Sequence, residues 1–275
     1  MKKATVVIFT ISILFACCTV PSDSNSGSIK VASFNIQIFG QTKAGNAEVM
    51  DILGRIIREF DIVAIQEIRD AAETAIIILK DKVNENGRVY DVVTGSRVGR
   101  TSSKEQYAYM YDTEVIELLP SSYTFDDDGD GNDSNDIDDG TLHPGVDLFE
   151  REPFIAHFKV KGGTLDFVLI NIHTKPDDAT AEIGYLPDVF DDVPPHISEA
   201  DIICLGDFNA DGSYFDEDTY ASIFPSTEYN WLIVNDEDTT VAVSDNTYDR
   251  IVTTLVSRQN NSDQDLIFLS DSISC

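Results

Sequence analysis

A chain of 275 residues, 42% hydrophobic and 9% aromatic, can bury a large core, and one domain accounts for it better than two small ones. Its 49 acidic against 19 basic residues give a formal net charge of -30, which excludes a purely electrostatic grip on nucleic acid, because that grip rests on Lys and Arg. A polyanion can be bound only through divalent cations and a local Arg patch, and four cysteines, Cys17, Cys18, Cys204 and Cys275, are too few for a disulfide framework.

Met1-Lys2-Lys3 followed by the apolar stretch from Ala4 to Ala16 has the charge and length of an export signal over residues 1–17 and is short for a membrane span. Leu14-Phe15-Ala16-Cys17 resembles a bacterial lipobox, so lipid anchoring at Cys17 and plain secretion both fit, with Phe15 unusual for the motif. Residues 18–28 are small and polar, as in a flexible tether, and residues 29–275 are expected to form one domain, atypical from about residue 253.

Ile29 to Ile36 has strand composition and reaches Asn35 near its end. Val49, Ile52, Leu53, Ile56, Ile57 and Phe60 repeat at helical spacing and predict a helix over 46–60. Asp61 to Glu67 is a continuous apolar strand of the buried kind, ending in a carboxylate. Asp70 and Glu73 mark a helix start, and strands are predicted over 89–94, 107–111 and 115–119, with Glu105 just before the second.

Asp126, Asp128, Asp130 and Gly131 open like a calcium loop, but position twelve is Ile137, so a non-EF calcium loop competes with a solvated acidic loop. Strands over 154–160 and 165–172 form a predicted hairpin that delivers His173. The acidic, Pro-containing stretch 177–195 holds at most one helix, over 179–186. Ile202 to Leu205 is a buried strand ending in Gly206-Asp207-Phe208-Asn209-Ala210-Asp211, and strands over 231–234 and 248–252 follow, the last carrying Asp249. Cys204 reads as a small buried hydrophobe.

Asn35, Glu67, His173, Asp207, Asn209 and Asp249 thus sit at strand ends far apart in sequence, and convergence on one sheet rim is the economical explanation. Carboxylates and amides form an oxygen-rich site for Mg²⁺ or Mn²⁺, and a histidine can move a proton, a toolkit suited to phosphodiester hydrolysis.

These blocks resemble deoxyribonuclease I and its bacterial relatives in the endonuclease/exonuclease/phosphatase superfamily. The likeness rests on Phe34-Asn35-Ile36-Gln37, Gln66-Glu67 with Arg69-Asp70, Gly99-Arg100 with Lys104-Glu105, Arg151-Glu152-Pro153, His173, the 206–211 block, Asp238-Thr239-Thr240 and Tyr248-Asp249-Arg250. It implies a four-layer α/β/β/α sandwich. It also implies that Asn35 and Glu67 bind Mg²⁺, that Asp207 and Asn209 position phosphate and water, and that Glu105 orients His173 as acid/base. Arg69, Arg151 and Arg100 would meet DNA. Asp238 with Thr240, and the loop carrying Asp126, Asp128 and Asp130, fall where the family keeps Ca²⁺.

Three departures stand out. Gly212 and Asn246 occupy the places of a family disulfide, and Ser103 that of a tyrosine facing the minor groove. The family's final S-D-H-x-P-V segment is missing, with Ser272 following Asp271 where its histidine belongs, so the last strand is expected to be lost through truncation or frame shift. The resulting expectation is an exported, monomeric, metal-dependent endonuclease, weakened or silenced by the missing histidine that Asp249 would hold. Hydrolysis of a phospholipid head group or other small phosphodiester, and a non-enzymatic calcium-binding surface role, are the competing readings.

Overall fold

Runs of buried apolar residues sort the chain into two sheets stacked face to face. The computed structural model describes residues 6–14, 28–100, 104–127, 147–235, 237–240, 244–254 and 265–273. The first half supplies β1 (Val6–Leu14), β2 (Ser28–Phe39), α1 (Gln41–Ala44), α2 (Ala47–Ile57), β3 (Ile62–Ile68), α3 (Ala75–Asn84), β4 (Tyr90–Val98) and β5 (Glu105–Asp112). The second supplies β6 (Ile116–Leu118), β7 (Tyr123–Thr124), β8 (Phe154–Val160), β9 (Asp166–His173), α4 (Ala179–His196), β10 (Ile202–Asp207), α5 (Tyr220–Ile223), β11 (Tyr229–Trp231), β12 (Asp249–Thr254) and β13 (Asp265–Ile273). One sheet runs β13-β1-β2-β3-β5-β4, the other β11-β12-β10-β9-β8-β6 with β7 beside β8.

Strand alternation sends Val31, Ile62, Tyr107 and Tyr109 from one sheet against Phe158, Phe167, Leu169 and Leu205 from the other. The opposite face of the first sheet packs Phe34, Val63 and Ile65 against Leu53 and Ile57 of α2 and Leu79 of α3. That of the second packs Val168, Ile170 and Cys204 against Ile183, Leu186 and Val189 of α4. The result is the expected α/β/β/α order of layers.

Local chemistry fixes the helix starts. Asn46 caps α2 by accepting from Glu48 and Val49 N–H. The Asp70 carboxylate accepts from Thr74 and Ala75 N–H at 2.9 and 2.8 Å and so opens α3. Helix α4 corrects the sequence expectation, running eighteen residues through Pro187, Pro194 and Pro195 rather than stopping near 186. The apolar spacing continues past Pro187 through Val189, Phe190 and Val193, all buried. Burying each such side chain contributes about 1.5–3 kcal/mol, which together outweighs the roughly 3 kcal/mol cost of carrying the helix through Pro187.

A strand forms at Asp265–Ile273 without the S-D-H-x-P-V sequence of the family pattern. β1 pairs antiparallel with β2, and β13 pairs antiparallel with β1 from Val6↔Ile273 to Leu14↔Asp265, so the first sheet continues beyond β2. An open edge of unpaired N–H and C=O groups is a template for further strands. Gly212 and Asn246 are neighbours, as their reading as a vacated disulfide requires: a Cβ on Gly212 would lie 3.2 Å from Asn246 Oδ1.

Amides and a phenol tie the two sheets together across an otherwise apolar seam. Gln66 on β3 donates to Asn171 Oδ1 on β9 at 2.6 Å, and Asn171 donates to the carbonyls of Ile65 and Ala108 at 3.3 and 3.2 Å. Tyr109 on β5 donates to the Phe154 carbonyl at 2.8 Å. Replacing one partner strands the other, so Asn171→Leu should cost on the order of 3 kcal/mol in urea unfolding, and Gln66→Leu/Asn171→Leu should cost less than that single change.

Candidate active site

Three structural devices bring the sequence candidates together on one rim. The first is a break in β2: the β2–β3 register runs to Asn35↔Gln66 and resumes at Phe39↔Ile68. Gln37, Ile38 and Glu67 adopt φ of 47, 51 and 59°, a strained region for branched or bulky residues. The site's own side chains hold this kink. Asn35 Oδ1 accepts from Gln37 N–H at 2.9 Å, Glu67 Oε2 accepts from Ile38 N–H at 2.8 Å, and Lys43 of α1 donates to the Ile36 and Gln37 carbonyls.

The second device is the close approach of β10 to β9. A Cβ on Gly206 would lie 1.8 Å from the Ile172 carbonyl oxygen, so only glycine fits. This approach sets Asp207 in register with His173 on one side and Asp249 on the other. Asn35 Nδ2 then bridges the sheets, donating to Glu67 Oε1 at 3.1 Å and to Asp207 Oδ2 at 2.9 Å.

The third is the buried carboxylate of Glu105, 1% exposed, which opens β5 rather than preceding it. Its Oε2 lies 2.9 Å from His173 Nδ1, while Oε1 accepts from Arg69 Nη2 at 2.6 Å and from Arg151 Nη1 at 3.5 Å. Burial alone would raise its pKa, but the hydrogen bond from His173 and the charges of His173, Arg151 and Arg69 outweigh it, giving about 2. An ionised acceptor fixes the proton on Nδ1 and leaves Nε2 of His173 facing Asp207 Oδ2 at 3.9 Å.

The arginines divide by exposure. Arg69 is partly exposed and lies 3.6 Å from Glu67 as well as on Glu105. Arg151, expected to meet DNA, turns inward: it is 7% exposed and donates to the His173 and Thr174 carbonyls, both at 2.9 Å. Arg100 forms a surface ion pair with Asp147. Arg250 is fully buried, bonded to the Ile233 and Ala210 carbonyls and to Glu217, and holds the 206–211 turn from behind.

Asn209 sits at φ 48° with its amide donating to the Thr174 carbonyl at 3.0 Å and its N–H to Asp207 Oδ1 at 3.1 Å, which locks the turn below the rim. Asp249 is buried, and burial, then the neighbouring charge of Asp207, push its carboxyl well above the usual range. Asp238 and Thr240 meet locally, Asp238 Oδ1 accepting from the Thr240 N–H and hydroxyl at 2.9 and 3.0 Å. Asp126 is half-buried, while Asp128, Asp130, Ser103 and Cys17 lie outside the described residues.

Sequence reasoning missed Tyr107, Thr174 and Glu182. The Tyr107 hydroxyl accepts from His173 N–H at 2.9 Å and donates to the Arg151 carbonyl at 3.3 Å. Buried Glu182 of α4 clamps Glu150 N–H and Lys175 N–H at 3.0 and 3.1 Å. A carboxylate on the apolar stripe of α4 was the available signal.

The depressed Glu105 carboxyl makes a signed prediction. Its stabilisation is present above its ordinary value of 4.5 and is lost as pH falls towards 2. The linkage is worth about 3 kcal/mol. Glu105→Gln should therefore lower stability at neutral pH and flatten the loss between those values in urea unfolding followed against pH.

A model of the Endonuclease/Exonuclease/phosphatase family matches residues 32–271. Deoxyribonuclease-1 of Oryctolagus cuniculus is 37% identical over 231 residues, covering 82% of this chain and 78% of that protein. Deoxyribonuclease-1 of Bos taurus is 37% identical over 233 residues, covering 82% and 77%. A solved family protein from Leptotrichia buccalis superposes with a TM-score of 0.55 at 15% identity, over 82% of this chain and 87% of that one, a likeness of fold. With most of its length matched at this level, the chain belongs to the Endonuclease/Exonuclease/phosphatase family as a deoxyribonuclease I-like hydrolase.

Proposed function

We propose that the protein is an exported, divalent-metal-dependent endonuclease that hydrolyses DNA phosphodiester bonds. The observation that carries this reading is the convergence of the Glu105–His173 pair with Asp207 and Glu67, the two carboxylates bridged by Asn35. The deoxyribonuclease names of the relatives support DNA as the substrate, and the partly exposed Arg69 offers the local positive group that the overall charge otherwise denies.

Two carboxylates drawn to one amide N–H are a place that favours positive charge, and their hard oxygens fit Mg²⁺ or Mn²⁺. Glu67 and Asp207 would hold the ion, with the Asn35 amide turned to present its oxygen. When bound, such a cation neutralises charge on the phosphate. Arg69 holds a phosphate oxygen by charge. His173 uses Nε2 to take a proton or return one, and Glu105 holds the ring by its Nδ1. Tyr107 and Arg151 hold the backbone on which the ring is mounted. Asp238 with Thr240, and the loop that includes Asp126, are proposed to hold structural Ca²⁺.

Among the described residues His173 is the one histidine at the rim, where the family pattern has two, and working without one acid/base group lowers rate by about 10² to 10⁴-fold. Nicking of supercoiled plasmid in Mg²⁺ should therefore be detectable but that much slower than for deoxyribonuclease-1. Glu67→Ala and His173→Ala should abolish it, and so should EDTA. Equal nicking by all three proteins would refute the assignment. Export is supported by the charged start and apolar run of residues 1–17, whose removal would also take away β1. Intact mass of the secreted or membrane fraction tests it: an uncleaved chain overturns export, and an added lipid mass at Cys17 marks the anchored form.

A further inference from the structure

A second cluster of ligand-type side chains lies at the far end of the same sheet. β9 begins at Asp166 and ends at His173, so the two ends are about 23 Å apart at the rise of an extended strand. His157 of β8 and Asp166 alternate onto the α4-facing side of the sheet, and Glu199 reaches them from the connection after α4. One ligand atom from each of the three residues lies within 4.8 Å of the other two, and all three are half-buried.

Their charge balance is incomplete. His157 Nε2 lies 3.0 Å from Asp166 Oδ2, and among the described residues it is the sole ion-pair partner of Asp166. Among the described residues, Lys159, the cross-strand neighbour of Asp166, forms no ion pair with it, and no Lys or Arg pairs with Glu199. The Glu199 carboxylate is aimed by the N–H groups of Ala200 and Asp201, which hold its Oε1 at 2.7 and 2.8 Å.

We propose that His157, Asp166 and Glu199 form a binding site for a zinc-class divalent cation that ties β8, β9 and the α4–β10 connection together. The imidazole selects against Mg²⁺ and Ca²⁺, which take oxygen ligands, and a nitrogen with two carboxylates suits Zn²⁺ with water completing the shell. The His157–Asp166 spacing of 3.0 Å is about 0.3 Å short of the edge of about 3.3 Å that tetrahedral Zn bonds of 2.0–2.1 Å require, so a small rotation of either side chain admits the ion. A structural ion here stabilises the fold and takes no part at the catalytic rim.

The test uses Zn²⁺ alone on the purified full chain, by calorimetric titration and thermal unfolding. Glu67→Gln, altered at the rim, should still bind one Zn²⁺ with a raised Tm. His157→Gln and Asp166→Asn, with unchanged far-ultraviolet circular dichroism, should lose that uptake or weaken it at least tenfold. Zn²⁺ isotherms equal to that of the unaltered chain in both variants would overturn the site. Should either variant fail to fold, Co²⁺ added to Glu67→Gln decides: a visible d–d band displaced by Zn²⁺ supports the site, and no band refutes it. DNA cleavage enters none of these readouts, so failure here and failure of the nuclease assignment are separable.

Discussion

The buried Glu105 carboxylate is the constraint on which the rest of the site depends. A lone charge in that position would be expelled by its desolvation cost, and it persists because His173, Arg69 and Arg151 compensate it together. The dependence is mutual. Arg151 can be inside only because Glu105 is there, and in turn it holds the carbonyls of His173 and Thr174 that set the end of β9. The imidazole that faces Asp207 is therefore positioned from both its ring and its backbone.

The same logic governs the docking of the sheets. The Gln66–Asn171 pair and the Tyr107 and Tyr109 hydroxyls are polar groups in an apolar seam, satisfied in one alignment of the layers. A slip would leave them unpaired at a cost that an all-apolar seam would not impose. The strained backbone at Gln37, Ile38 and Glu67 sits on the rim, with that of Asn209 just below it, where this alignment holds it in place.

Much of this was legible in the sequence because the signal was local and repeated. Apolar strands ending in Glu67 and Asp207, and helical spacing over 46–60, follow from side-chain period alone. What was not legible needed tertiary context. Helix α4 contradicts proline statistics, because burial against the second sheet outweighs a broken hydrogen bond. The inward turn of Arg151 depends on a carboxylate 46 residues away in sequence. Asn171 carries a signal of its own: an amide within an apolar run must find partners, and these lie on the other sheet.

The order of strands has a consequence for assembly. Glu67, Asn35 and Glu105 belong to the first sheet, and His173, Asp207 and Asp249 to the second, while the chain completes β2 to β5 before beginning β6. Neither sheet alone contains both Glu105 and its imidazole, or both carboxylates that Asn35 bridges. The constellation exists only where the two sheets meet.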